Sequence, residues 1–178
     1  MTMLKALRTA AVAALVIGAT AAPALAQTSF VSFLNGAQEA PTPRVTPAFG
    51  NGTVLMNAAR TQITINLTFQ GLLAPITVAH IHNAPVGVSG GVILDIRSLI
   101  STTPDLTGGS IMNAVLDITP TQRDVLLAGN GYFNIHSTQF PAGEIRGQIN
   151  VVPEPSTYLL MATGLGGLMI VAHRRRAS

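Results

Sequence analysis

Apolar and polar residues alternate through the middle of the chain. Ile63, Ile65, Leu67 and Phe69 fall on one face of an extended segment, with Thr64, Asn66 and Thr68 on the other. That period of two predicts a half-buried strand. Similar runs lie at Phe30–Leu34, Gly52–Met56, Thr77–His82, Val92–Ile96, Ile111–Ile118, Tyr132–His136 and Glu144–Val151. Gly50-Asn51-Gly52, Gly90-Gly91, Gly108-Gly109 and Gly129-Asn130-Gly131 punctuate them as turns. One helix is predicted after Thr119, which can cap it. Pro120 suits its first turn, Val125-Leu126-Leu127 gives it an apolar face, and Gly129 stops it. Many short antiparallel strands with one short helix predict an all-β sandwich.

The two ends follow other patterns. Lys5 and Arg8 precede the apolar run Ala10–Ala19, and Ala24-Leu25-Ala26 is a small-x-small site, so residues 1–26 are expected to be a cleaved secretory signal. At the other end Pro153-Glu154-Pro155 breaks regular structure. Thr157 to Ala172 then carries no charge, which predicts a transmembrane helix close to the lower limit of about 17 residues. His173-Arg174-Arg175-Arg176 would remain on the cytoplasmic side, leaving the preceding domain outside the inner membrane. The chain thus divides into 1–26, a domain at 27–152 and a tail at 153–178.

Charge and composition narrow the partners. The whole chain has a formal charge of +3. Within 27–152, however, five arginines face six carboxylates and no lysine remains, so no basic patch exists for nucleic acid. The chain has no cysteine, which excludes disulfides, thiolate metal sites and cysteine nucleophiles. No paired-carboxylate, nucleotide-loop or serine-elbow signature stands out, so the chain is read as non-enzymatic.

The candidate chemistry lies with histidine. His80 and His82 project from one face of a strand, and His136 lies on the polar face of another with Tyr132 and Asn134. Three such imidazoles can hold zinc or copper, with Glu39, Glu144 or water in a fourth position. They also suit a hydrogen-bonded network between strands, or acid/base chemistry; His-x-His alone does not separate these. A hairpin after His136 would set His136 opposite Glu144 and Asn134 opposite Arg146. The carboxylate would then raise the pKa of the imidazole. Arg146 is expected to pair with a carboxylate through its guanidinium fork.

At these residues the chain resembles the CHRD domain family. The resemblance runs from Phe33-Leu34-Asn35-Gly36-Ala37-Gln38-Glu39-Ala40-Pro41 through Ala79-His80-Ile81-His82-Asn83-Ala84 and Gly90-Gly91. It closes on Gly131-Tyr132-Phe133-Asn134-Ile135-His136 and Pro141-Ala142-Gly143-Glu144-Ile145-Arg146-Gly147-Gln148. It implies an immunoglobulin-like or superoxide-dismutase-like antiparallel sandwich without dismutase activity, since a copper centre bridged to zinc needs more histidines. The tail from Val152 to Ser178 resembles the PEP-CTERM sorting signal. That implies processing by an exosortase near Pro153-Glu154-Pro155, passage through the inner membrane, and an end point on the cell surface or in a biofilm matrix with exopolysaccharide. The expected function is a binding or structural module in which Glu39, Asn134, Glu144 and Arg146 tie strands to loops. The competing expectation is an extracytoplasmic copper or zinc domain using His80, His82 and His136.

Overall fold

The computed structural model describes residues 27–153 and 155–176. The expected signal at 1–26 and Glu154 of the sorting motif lie outside the described residues. The strands are β1 (Thr28–Asn35), β2 (Phe49–Met56), β3 (Gln62–Gln70), β4 (Ile76–Asn83) and β5 (Gly91–Asp95), followed by β6 (Ser101–Thr102), β7 (Gly109–Asp117), β8 (Gly131–Ser137), β9 (Ile145–Gln148) and β10 (Asn150–Val151). Helix α1 is Pro120–Leu127 and helix α2 is Pro155–Arg176.

The strands form one curled antiparallel sheet in the order β5-β4-β8-β9-β1-β2-β3-β7-β6, with β10 against β1. A sandwich of two separate sheets is what the sequence predicts. The structure instead joins two halves through the single pair Asn35↔Arg146 between β1 and β9. By contrast, β1 and β2 stay in register over their whole length, from Thr28↔Met56 to Asn35↔Phe49. The halves therefore enclose one core. Phe30, Leu34, Val54, Met56, Ile63, Ile65, Leu67, Ile81, Phe133, Ile135 and Ile145 meet there. Burial of these apolar side chains is the main favourable contribution to folding.

Local chemistry accounts for the elements. β3 buries every second residue, as its alternation requires. Thr119 caps α1 by accepting from Gln122 N while the Gln122 side chain accepts from Thr119 N, closing a reciprocal box with Pro120 in the first turn. Gly129 follows the cap in the left-handed region at φ 71°, where a Cβ is disfavoured. β6 has two residues, too few to leave a periodic trace in the sequence. The run expected from Glu144 to Val151 is broken at Ile149, whose side chain enters the core.

The tail needs a correction. α2 covers the segment expected to cross a membrane, but among the described residues no helix is long and apolar enough to do so. Thr163, Gly164, Gly166 and Gly167 dilute its apolar character. This says nothing of a β-barrel.

Candidate functional site

β8 and β9 are buried on both faces, residue by residue. One face meets the core. The other carries polar side chains beneath three segments: 36–47, 84–90 and 140–143. The predicted register between the two strands is present, with Asn134 opposite Arg146 and Tyr132 opposite Gln148. On the other side of β8, His80 lies opposite Asn134 and His82 opposite Tyr132. Period-two projection thus gathers His80, His82, Tyr132, Asn134, His136, Arg146 and Gln148 on one covered surface.

Arg146 organises that cover. It is 2% exposed and donates from Nη1 to Val88 O at 2.7 Å and from Nη2 to Pro85 O at 2.9 Å and to Gln148 Oε1 at 3.2 Å. Its guanidinium lies 3.6 Å from the centre of the Tyr132 ring. A buried cation needs such partners, because stripping its water is costly unless its N–H groups are satisfied. Gln148 continues the clamp, donating to Ala84 O and Gly129 O. The expected guanidinium–carboxylate fork is not formed. Carbonyl oxygens and a ring take its place, and the one ion pair among the described residues is Arg123–Asp124 at the surface.

The clamped segment orients a histidine. Gly90 N donates to Tyr132 Oη at 3.0 Å, and Gly90 O lies 2.9 Å from His82 Nδ1. A carbonyl only accepts, so His82 Nδ1 carries the proton and its Nε2 keeps a lone pair. The Tyr132 ring stacks on His82 at 5.1 Å and 12°. His136 repeats the arrangement, with Nδ1 held 2.9 Å from Pro141 O. Burial lowers the pKa of both rings below the usual imidazole range, with each backbone bond acting in the opposite direction.

Those two Nε2 atoms and His80 Nδ1 are all buried and have no hydrogen-bond partner. The rings converge: one nitrogen from each of His80, His82 and His136 lies within 4.8 Å of the others. Ring centres are separated by 5.3 Å for His80–His82, 5.2 Å for His80–His136 and 6.0 Å for His82–His136. Among the described residues no carboxylate joins this group. Imidazole nitrogens gathered without hydrogen-bond partners are the arrangement a zinc or copper ion would use, with carbonyls behind His82 and His136 fixing those two rings.

The carboxylates expected beside the histidines are elsewhere. Gly143 adopts φ 124° where the chain enters β9. The Glu144 carboxylate, wholly buried, takes Thr46 Oγ1 and Leu73 N on Oε1 and Ser137 Oγ on Oε2. It therefore ties three segments together and leaves His136 to a carbonyl, so the predicted upward shift of that imidazole is replaced by a downward one. Thr46, Leu73 and Ser137 were not legible as partners. Thr46 is 98 residues away in sequence and carries no signal of its own. Glu39 lies over Asn134 and Arg146. Burial pushes its carboxyl up to about 7, while Arg146, Arg44 and the Asn134 amide pull the other way. Its Oε1 and Asn134 Oδ1 are buried without partners, with Gly143 packed between them.

The geometry defines an all-β domain with a covered polar surface and a histidine cluster. The chain matches the CHRD domain family over residues 30–149 and belongs to it. It also matches the PEP-CTERM protein-sorting motif over residues 151–176. That motif indicates export across the inner membrane to the cell envelope or extracellular surface, with processing by an exosortase. No curated protein and no solved structure matches the chain.

Two consequences can be measured. Arg146→Ala strands the carbonyls of Val88 and Pro85 and the amide oxygen of Gln148. It should lower the unfolding free energy by roughly 3–5 kcal/mol in urea titrations. Arg146→Lys should recover little of this, because an ammonium cannot stack flat on Tyr132 while reaching both carbonyls. A loss below about 1 kcal/mol would contradict the clamp.

For Glu39 the folded pKa lies above the unfolded value. Its contribution is therefore fully present below pH 4.5 and is lost as pH rises through about 7. Glu39→Gln should match the parent below pH 4.5 and become progressively more stable than it up to neutrality, by no more than about 3 kcal/mol. Stability curves that stay parallel across that window would refute the assignment.

Proposed function

We propose that residues 27–152 form a non-enzymatic, transition-metal-binding domain of the envelope or extracellular matrix, holding zinc or copper through His80 Nδ1, His82 Nε2 and His136 Nε2. The observation that supports this most is the convergence of the three rings, one nitrogen of each within 4.8 Å of the others, with a buried, unpartnered nitrogen on every ring. A hydrogen-bonded histidine network would leave few such atoms bare, since buried polar groups nearly always find partners. Two of the rings also have the carbonyl support that fixes the tautomer of a metal-ligating histidine. No acid or base for a reaction is needed on this reading. Neither Glu39 nor Glu144 is a ligand in it.

A second reading, a matrix module that meets exopolysaccharide, is favoured by a cleft of about 310 Å³. Residues 37–41, 43 and 86–87 form its walls, and Glu39, Arg146 and Gln148 contribute to its polar lining. That volume suits one small polar group rather than a long chain. On either reading, residues 1–26 are the removable signal and 153–178 the sorting tail.

The metal reading predicts one metal per full-length chain after loading with zinc or copper and desalting, read by elemental mass spectrometry. Substituting any one of the three histidines by alanine should reduce it at least about tenfold. Metal bound equally by all variants, or by none including the parent, would end that reading. For the tail, cells producing residues 1–152 should release the domain from the fraction where the full chain resides. Unchanged fractionation would show that residues 153–178 do not hold it.

A further inference from the structure

We infer that the three-histidine cluster selects monovalent copper over divalent zinc, an inference that rests on the metal-binding reading above. The charge of the surroundings carries it. Each of the three rings offers a buried nitrogen with no hydrogen-bond partner, and no carboxylate stands among them within the described residues. The chain supplies no thiolate. Glu144, the carboxylate the sequence places opposite His136, is held by Thr46, Leu73 and Ser137 instead. Glu39 faces Asn134, Arg146 and Arg44. On the flank of the cluster the fixed charge is positive: Arg146 stacks on Tyr132, and Tyr132 stacks on His82.

An ion entering this site exchanges water for a buried set that carries no negative charge. The cost of moving an ion into such a medium rises as the square of its charge, so a dication loses about four times as much as a monocation of similar size. Divalent zinc normally offsets that cost with a thiolate, a carboxylate or a bound hydroxide. Here the first two are missing from the cluster, and all three ligand nitrogens are shielded from solvent. Imidazole is an acceptable ligand for copper as well as zinc, so ligand type does not reverse the preference. Three nitrogens and nothing else suit a three-coordinate monovalent ion.

The test offers the full-length chain equal concentrations of zinc and ascorbate-reduced copper under anaerobic conditions, then removes unbound metal and reads both by elemental mass spectrometry. The expected ratio is at least about ten copper to one zinc, lost in His82→Ala and His136→Ala. Asn134→Asp sets a carboxylate opposite His80 in the strand register and should move the ratio towards zinc. Circular dichroism confirms that each variant retains its strands, and copper K-edge absorption on the parent should show three nitrogen neighbours. Zinc retained equally or better, with the same histidine dependence, would overturn the charge argument and leave the metal site standing. Retention of neither metal would overturn both. A ratio unmoved by Asn134→Asp would also count against charge as the cause.

Discussion

Arg146 is almost closed to solvent, and a guanidinium in that position must find its hydrogen-bond acceptors within the protein. It finds them in Val88 and Pro85, in the side chain of Gln148 and in the face of Tyr132. The same residue makes the one register pair between β9 and β1, where the two halves of the sheet meet. From it the order spreads outward. The 84–90 segment is pulled over the strands, Gly90 is placed to hold His82, and the outer face of β8 and β9 becomes an interior. Breaking this arrangement leaves several buried polar atoms bare at once, which costs far more than the net worth of any one bond.

Burial on both faces also explains the electrostatics. A half-exposed sheet would let His82, His136 and Glu39 keep ordinary titration behaviour. Under cover, burial pushes the imidazoles towards neutrality and the carboxyl towards its protonated form. For these three groups, cover thus opposes charge, while Arg146 keeps its own through its hydrogen-bond partners. Membership of the CHRD family and a PEP-CTERM motif place this surface in a protein exported to the envelope or beyond.

Much of this was legible in the sequence, and the parts that were not share a cause. The alternation of Ile63, Ile65, Leu67 and Phe69 gave β3, and Thr119-Pro120 gave the start of α1, because each signal is local. The period of two put His80 beside His82, and the hairpin spacing put Asn134 opposite Arg146. What stayed hidden depends on backbone oxygens brought from afar. Gly90 O and Pro141 O orient the imidazoles, and Val88 O and Pro85 O replace the carboxylate expected for Arg146. No side chain announces a carbonyl. Strand register alone places Glu144 beside His136; the left-handed Gly143 and the distant Thr46 settle its side chain differently. The single curled sheet departs from two stacked ones by one residue pair, below what periodicity can resolve.

The pairing of β10 with β1 has a mechanical side. β10 is two residues long, registered as Phe30↔Val151 and Val31↔Asn150, and the chain continues from it directly into the sorting segment. Any pull transmitted through that segment reaches the domain at β10 first. Strands loaded from one end in this way peel bond by bond rather than resisting together. A tug would lengthen the lead by a few residues while Ile149, anchored in the core, holds the rest of the curled sheet unstretched.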